Sequence, residues 1–255
     1  MLAVAALSAR AIVESAARDG MRCVALDVFG DADTRRAADA WNDPAGVYAR
    51  TVVPMSVFTD DGWTVAARDE FLRPDTTLEG LAGLRTPFRA GGRVTAGNSA
   101  GLTDGATACL LAASDAAVDL GLPSRMRLVG YGFAGVDPEV MGVGPIPSTE
   151  RALRATGLTI DDIGLFELNE AFAVQVLAFL DHFGVADDDP RVNQYGGAIA
   201  VGHPLASSGV RLMTQLARQF VDHPEVRYGL TAMCVGLGQG GSVIWENPQY
   251  TGARS

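Results

Sequence analysis

From residue 95 onward, apolar and polar positions fall into blocks whose lengths and periods fit alternating helices and buried strands. The pattern predicts a helix from Asp104 through Ser114, a strand at Arg127–Phe133, and a second helix capped near Ser148. A continuous apolar run predicts a buried strand at Ile163–Leu168. An amphipathic helix follows over Glu170–His182, with Phe172, Val176 and Phe179 on one face. After a glycine-rich loop come a helix over roughly Ser207–Val221 and two strands, Tyr228–Cys234 and Ser242–Trp245. This is the signature of a layered α/β domain built on one mixed sheet.

The chain before residue 95 reads differently. Residues 1–44 form a short α/β segment. The apolar stretch Leu2–Leu7 leads to a helix with Ala11, Ile12, Ser15 and Ala16 on one face, then to a strand around Cys23–Leu26. No glycine-rich phosphate loop follows the first strand, which argues against a nucleotide-binding module. Residues 45–94 carry short β-like runs, Thr51–Val57 and Trp63–Ala67, separated by the turn Asp60-Asp61-Gly62. A short helix is expected after Pro74. Such a segment reads as an excursion that covers something.

Composition narrows the function classes. The 255 residues are 48% hydrophobic and carry a formal net charge of −10, which argues against a sequence-independent grip on nucleic acid. All positive charge comes from arginine, since the chain contains no lysine. Three widely spaced cysteines, Cys23, Cys109 and Cys234, make neither a disulfide framework nor a metal-ligand pair. No metal is expected, and a reducing, cytoplasmic setting is. Arg10, Glu14, Arg18 and Asp19 interrupt the Ala-rich opening too early for a membrane span.

Four stretches put polar groups where a fold alone does not need them. In TAGNSAGLTDGA (95–106), Gly97, Asn98, Ser99, Ala100 and Gly101 form a loop of small residues. It suits close approach of a ligand, or simply a tight turn before a capped helix. In FELNEAFA (166–173), Asn169 follows a buried strand, where it is either a helix N-cap or a ligand-facing group at a strand's carboxyl end. In NQYGGAIAVGHPLASSG (193–209), His203 sits between Gly202 and Pro204 with an apolar approach, which suits a positioned base. His182 and His223 lie at polar helix ends. In MCVGLGQGG (233–241), Cys234 ends an apolar strand and opens onto a glycine loop, where Gly236 and its neighbours offer backbone N–H groups to an oxyanion.

The order and wording of these stretches, with GVDPEVMGVGPIPSTERAL (135–153) between them, resemble the thiolase family from roughly residue 45 to 248. The resemblance implies the end of a loop domain at 45–94 and the C-terminal catalytic domain at 95–255. It implies an acetyl-CoA C-acyltransferase or 3-ketoacyl-CoA thiolase activity in fatty acid metabolism, with a CoA thioester as substrate and no further cofactor. His203 would deprotonate a nucleophilic cysteine, and Asn169 would hold a water in one oxyanion hole. Cys234 would move a proton at the acyl α-carbon, the Gly236 amide would serve a second oxyanion hole, and residues 97–101 would line the CoA channel. Three departures stand out. Ala206 replaces the usual glycine after GHPL, GNSAG replaces the commoner GNASG, and no family-type nucleophilic cysteine motif appears. Cys23 reads as lying within a strand and Cys109 within a helix. Residues 1–43 do not resemble thiolase, and faintly resemble the opening of an ATP-grasp-type protein.

Three outcomes follow as expectations. The chain is a thiolase half without turnover by itself, one half of a split enzyme completed by a separate N-terminal chain, or a noncatalytic CoA- or lipid-binding module; its partners are acyl-CoA or CoA, with a homo-oligomer or a complementing N-terminal half beside them. A ketosynthase layout is disfavoured, because a second cysteine follows the single candidate histidine.

Overall fold

The computed structural model describes residues 2–5, 24–26, 51–67, 69, 71–73 and 76–252. The helix expected near Ala11–Ala16 and the residue Cys23 lie outside them. The chain divides into two compact units, residues 28–74 and the remainder. This division does not follow the sequence-based boundaries at 44 and 94.

Numbered in chain order, the first two strands, β1 (Leu2–Ala5) and β2 (Val24–Leu26), belong to the larger unit. The next two form a hairpin in the smaller one. β3 (Met55–Thr59) pairs antiparallel with β4 (Gly62–Ala66) around the Asp60-Asp61 turn. Gly62 takes a positive φ there, and Phe58 packs edge-on against Trp63.

The larger unit is built on a seven-stranded mixed sheet in the order β1-β5-β2-β6-β9-β8-β7. Its first helix among the described residues, α1 (Leu78–Ala82), is capped by Thr77. β5 (Ala108–Ala112) precedes the short α2 (Ser114–Asp119) and the long β6 (Met126–Gly135). Then come α3 (Pro145–Thr156), β7 (Ile163–Leu168), α4 (Ala173–Phe183) and the single-turn α5 (Ala198–Val201). α6 (Ser208–Asp222), β8 (Tyr228–Val235) and β9 (Gln239–Glu246) complete it. Of the neighbouring strands in this sheet, β7 and β8 pair in parallel and the rest antiparallel.

Alternation along the strands feeds two cores. Leu165, Val243 and Trp245 point to one face, where Met213, Leu216 and Phe220 of α6 cover them. Phe166, Leu230, Ala232 and Ile244 point to the other, beneath Ala152 and Leu153 of α3 and Phe179 and Leu180 of α4. The domain is therefore α/β/α in section, with a core on each side of the sheet.

Three expected elements differ. Residues 104–113 contain no helix: β5 occupies Ala108–Ala112, so Cys109 lies in a strand. A five-residue apolar run does not distinguish the two periods, and here strand partners on both sides decide it. The approach to β5 is also held extended, since Ser207 Oγ donates to Gly105 O at 2.9 Å and Thr107 Oγ1 donates to Ser207 O at 2.9 Å. Ser148 does not cap α3, which begins three residues earlier with Pro145 in its first turn. Ser148 is instead wholly buried and shares hydrogen bonds with Pro145 O and Ser242 Oγ. The third helix begins at Ala173 and not at Glu170, because residues 171–172 are held extended against 99–100.

β7 also carries a buried acid. Glu167 is fully enclosed and accepts a 2.5 Å hydrogen bond from Gln219 Nε2. Burial, opposed by the Arg211 guanidinium, raises its carboxyl from 4.5 to about 8. The folded state thus binds this proton more tightly than the unfolded chain does. The resulting stability is fully present below about pH 4.5 and is lost as the pH rises through about 8. Glu167→Gln, which mimics the neutral acid, is expected to flatten the decline in urea midpoint between about pH 5 and 8. An unchanged slope would contradict this.

Candidate functional site

Because β7 and β8 run parallel, their carboxyl ends lie side by side, the position where open α/β sheets present functional groups. Asn169 follows β7 and Cys234 stands near the end of β8. Asn169 is almost wholly buried, and it is not an N-cap: the residue at the start of α4 is Phe172. Its Nδ2 faces His203 Nε2 at 3.3 Å. The main chain of Asn169 is fixed by its N–H donating to Ala232 O at 2.9 Å.

His203 is held at three points. Its backbone N–H donates to Gly101 O at 2.8 Å, its Nδ1 lies 2.5 Å from Ser208 Oγ, and its Nε2 meets Asn169. With the Asn169 amide donating, Nε2 is the unprotonated nitrogen and Nδ1–H is the donor to Ser208. Burial, and then the positive charge of Arg211, hold the imidazole below its usual range. The ring therefore stays neutral near pH 7, the state a base requires.

Gln175, buried in the first turn of α4, joins this pair to Cys234. Its Nε2 donates to Asn169 O at 3.0 Å, and its Oε1 accepts from Cys234 Sγ at 3.5 Å. Burial pushes the Cys234 thiol up. A small cavity beside this bridge is lined by Pro145, Leu168, Asn169, Gln175, Val176, Phe179 and Ala232.

A second clasp sets the loop between β7 and α4. Asn193 brackets Leu168, accepting from its N–H at 2.8 Å and donating to its carbonyl at 3.0 Å. Asn193 Nδ2 also donates to Glu170 Oε1 at 2.5 Å, while Glu170 Oε2 accepts the Ile199 N–H at 3.1 Å. A Cβ on Gly197 would stand 2.0 Å from the Glu170 carboxyl, so this glycine makes room for the acid at the start of α5.

The remaining sequence candidates fall into two groups. Ala100 N–H donates to Ala171 O at 3.0 Å, Ser99 bridges Phe172, and Gly101 accepts from His203. Residues 99–101 thus abut the Asn169 and His203 loops directly. Gly97 and Asn98 are engaged elsewhere: a Cβ on Gly97 would overlap Leu81 and Leu84, and Asn98 closes a capping box with Thr95. Gly236 lies exposed in the β8–β9 turn, beside Leu237 and Gly238, both at positive φ. His182 and His223 pair with Glu150 and Glu225 at the surface. Among the described residues, no group of His, Cys, Asp or Glu is arranged to hold a metal.

Sequence reasoning did not single out Gln175, Ser208 or Asn193. Glutamine or serine within a helix pattern carries no signal of its own.

Fold and side chains together define an α/β protein with a His–Asn–Cys constellation at the carboxyl ends of two parallel strands. Comparison with known proteins makes this specific. Residues 122–247 match the family described as thiolase, C-terminal domain, and residues 9–115 match thiolase, N-terminal domain. The second match takes in most of the opening segment that the sequence reading set apart. The chain is 45% identical over 221 residues to the 3-oxoadipyl-CoA/3-oxo-5,6-dehydrosuberyl-CoA thiolase of Escherichia coli (strain K12), covering 86% of this chain and 54% of that one. It is 50% identical over 204 residues to a 3-ketoacyl-CoA thiolase of Photobacterium profundum, covering 79% and 52%. Human mitochondrial 3-ketoacyl-CoA thiolase superposes with a TM-score of 0.75 at 39% identity, covering 84% of this chain and 53% of that one. The same human enzyme in complex with CoA superposes with a TM-score of 0.73 at 37% identity, covering 84% and 51%. The chain belongs to the thiolase family, and it spans about half the length of these relatives.

Proposed function

We propose that this chain supplies the acid–base half of a thiolase acyltransferase site acting on 3-ketoacyl-CoA or acetyl-CoA thioesters in fatty acid metabolism. The observation that carries this reading is the continuous link from His203 through Asn169 and Gln175 to Cys234. Thiolytic chemistry needs a base to generate an attacking thiolate and a separate group to exchange a proton with a weakly acidic C–H. His203 Nε2 takes the first role and Cys234 the second. Asn169 holds a water that, with protonated His203, stabilises one carbonyl oxygen as it gains charge, and the Gly236 amide serves the other. The loop at 97–101 lies along the CoA pantetheine, and CoA enters as substrate with no further cofactor.

The attacking thiol comes from elsewhere in this reading. Among the described residues Cys109 lies mid-strand and packs partly on the core, while Cys234 is buried and committed to Gln175. We therefore propose that the chain has no turnover by itself and is completed by a thiolase N-terminal half, in a cytoplasmic setting. Among the described residues no helix is long and apolar enough to cross a membrane.

Thiolysis tests this directly. Purified chain with acetoacetyl-CoA and CoA is expected to leave the enolate absorbance unchanged, and a complementing N-terminal half is expected to restore its decay. Activity of the chain by itself, lost in His203→Ala, would contradict the missing nucleophile. Saturable CoA binding with no cleavage under any complementation would favour a noncatalytic CoA-binding module.

A further inference from the structure

We propose that Gln175 is a positioning residue that fixes the Cys234 thiol as a proton donor and locks it to the Asn169 main chain, an inference that rests on the thiolase reading above. The two ends of a glutamine amide are not interchangeable. The Asn169 carbonyl, 3.0 Å away, accepts only from a donor, so Nε2 must face it. Turned the other way, Oε1 would oppose that carbonyl, acceptor against acceptor. Oε1 is therefore forced towards Cys234 Sγ, 3.5 Å away, and a carbonyl-type oxygen offers a sulfur only acceptance. The sulfur facing it is best satisfied as S–H.

The amide has little freedom to escape this arrangement. Gln175 is 6% exposed, and its backbone N–H donates to Phe172 O at 3.2 Å. Gly142 closes over it, so that a Cβ at position 142 would stand 3.1 Å from the Gln175 Cβ. A residue larger than glycine at 142 would press on this side chain.

The chemical consequence follows from the balance of one step. When the carbon–carbon bond of a bound 3-ketoacyl thioester breaks, the electron pair left on the α-carbon takes the proton from Sγ, and the sulfur becomes a thiolate. That thiolate then faces the Oε1 dipole at its negative end, in a buried site. It is a high-energy anion and so a strong base for the next proton, whether that proton comes from a thiol or, in the reverse direction, from a C–H. Gln175 thereby serves both directions by making the protonated sulfur the resting state.

Charged groups do not compete for this role. The titratable side chains on elements packed against β8 include Glu167 on β7, Glu246 on β9, Arg211, Arg218 and Asp222 on α6, Glu150, Arg151 and Arg154 on α3, and Glu139 in the 138–143 turn. None contributes a charge effect at Cys234, whose thiol is pushed up by burial.

The test is the pH dependence of Cys234 alkylation by iodoacetamide in the full chain, read at the Cys234 peptide by mass spectrometry. Gln175→Met keeps the volume but removes the acceptor. The titration midpoint is expected to fall, with alkylation near neutral pH rising about threefold, the equivalent of roughly half a pH unit. Gln175→Glu places a carboxylate against the sulfur, and the midpoint is expected to rise. The opposite signs separate the clamp from general loosening, which would speed alkylation in both variants. A midpoint unchanged or raised in Gln175→Met, or lowered in Gln175→Glu, would overturn the proposal. Because alkylation needs no turnover, it stands apart from the thiolysis assay: shifted profiles without complemented activity would sink the acyltransferase reading while leaving the clamp in place.

Discussion

His203→Ala is expected to lower thiolysis about a thousandfold in any preparation of this chain that turns over, with CoA affinity retained. The ring is neutral because burial and the Arg211 charge disfavour its protonated form, and its Nε2, which accepts from Asn169, is the unprotonated nitrogen because Nδ1–H is committed to Ser208. Alanine removes the only histidine among the described residues that touches both Asn169 and the 99–101 loop. The contact with the 99–101 loop survives, since it runs from the backbone N–H of residue 203 to Gly101 O. The loss should therefore fall on kcat and leave the binding isotherm in place. Steady-state kinetics beside calorimetric CoA titration checks both halves, and a variant that keeps its rate would remove His203 from the mechanism.

Gly240→Ala is expected to destabilise the domain by about 3 kcal/mol or more, a large part of the roughly 5–15 kcal/mol that holds a typical domain together. A Cβ at Gly240 would stand 2.0 Å from both the carbonyl carbon and oxygen of Gly144. Those are backbone atoms at the start of α3, so no rotamer can move aside. The same close seating recurs at Gly132, where a Cβ would lie 2.1 Å from Ser148 O. Helix α3 rests its first turns directly on β6 and β9, and the Ser148, Thr149 and Ser242 hydroxyls satisfy one another in the seam. A displaced α3 would also disturb the hairpin carrying Cys234. Gly236 is the control: its Cβ direction is open, and alanine there should be neutral to within about 0.5 kcal/mol. Urea denaturation of both variants measures the contrast.

The α/β class, the bounds of β7 and the central span of α6 were legible from the chain, because long apolar runs and an amphipathic stripe leave few alternatives. Residues 104–112 were not, since a short apolar run adopts whatever period its neighbours complete, and here β1 and β2 complete a sheet around it. Ser148 has the identity of a cap, but the proline three residues earlier starts the helix first and leaves the serine to bond inward.

At the site, sequence by itself determined which groups have the chemistry: a histidine between glycine and proline, an asparagine after a buried strand, a cysteine before a glycine turn. Those are properties of residue type and immediate neighbours, and a chain displays them before it folds. Only the tertiary structure decided which groups meet. The parallel pairing of β7 with β8 brings Asn169 and Cys234 side by side although they are far apart in the chain, and the glutamine that joins them comes from the helix in between. Hydrogen-bond partnership across such separations depends on strand register and helix docking, which are set by the burial of two opposite sheet faces. No local pattern encodes that distance, so the candidate residues were readable in the sequence while the bridge between them was not.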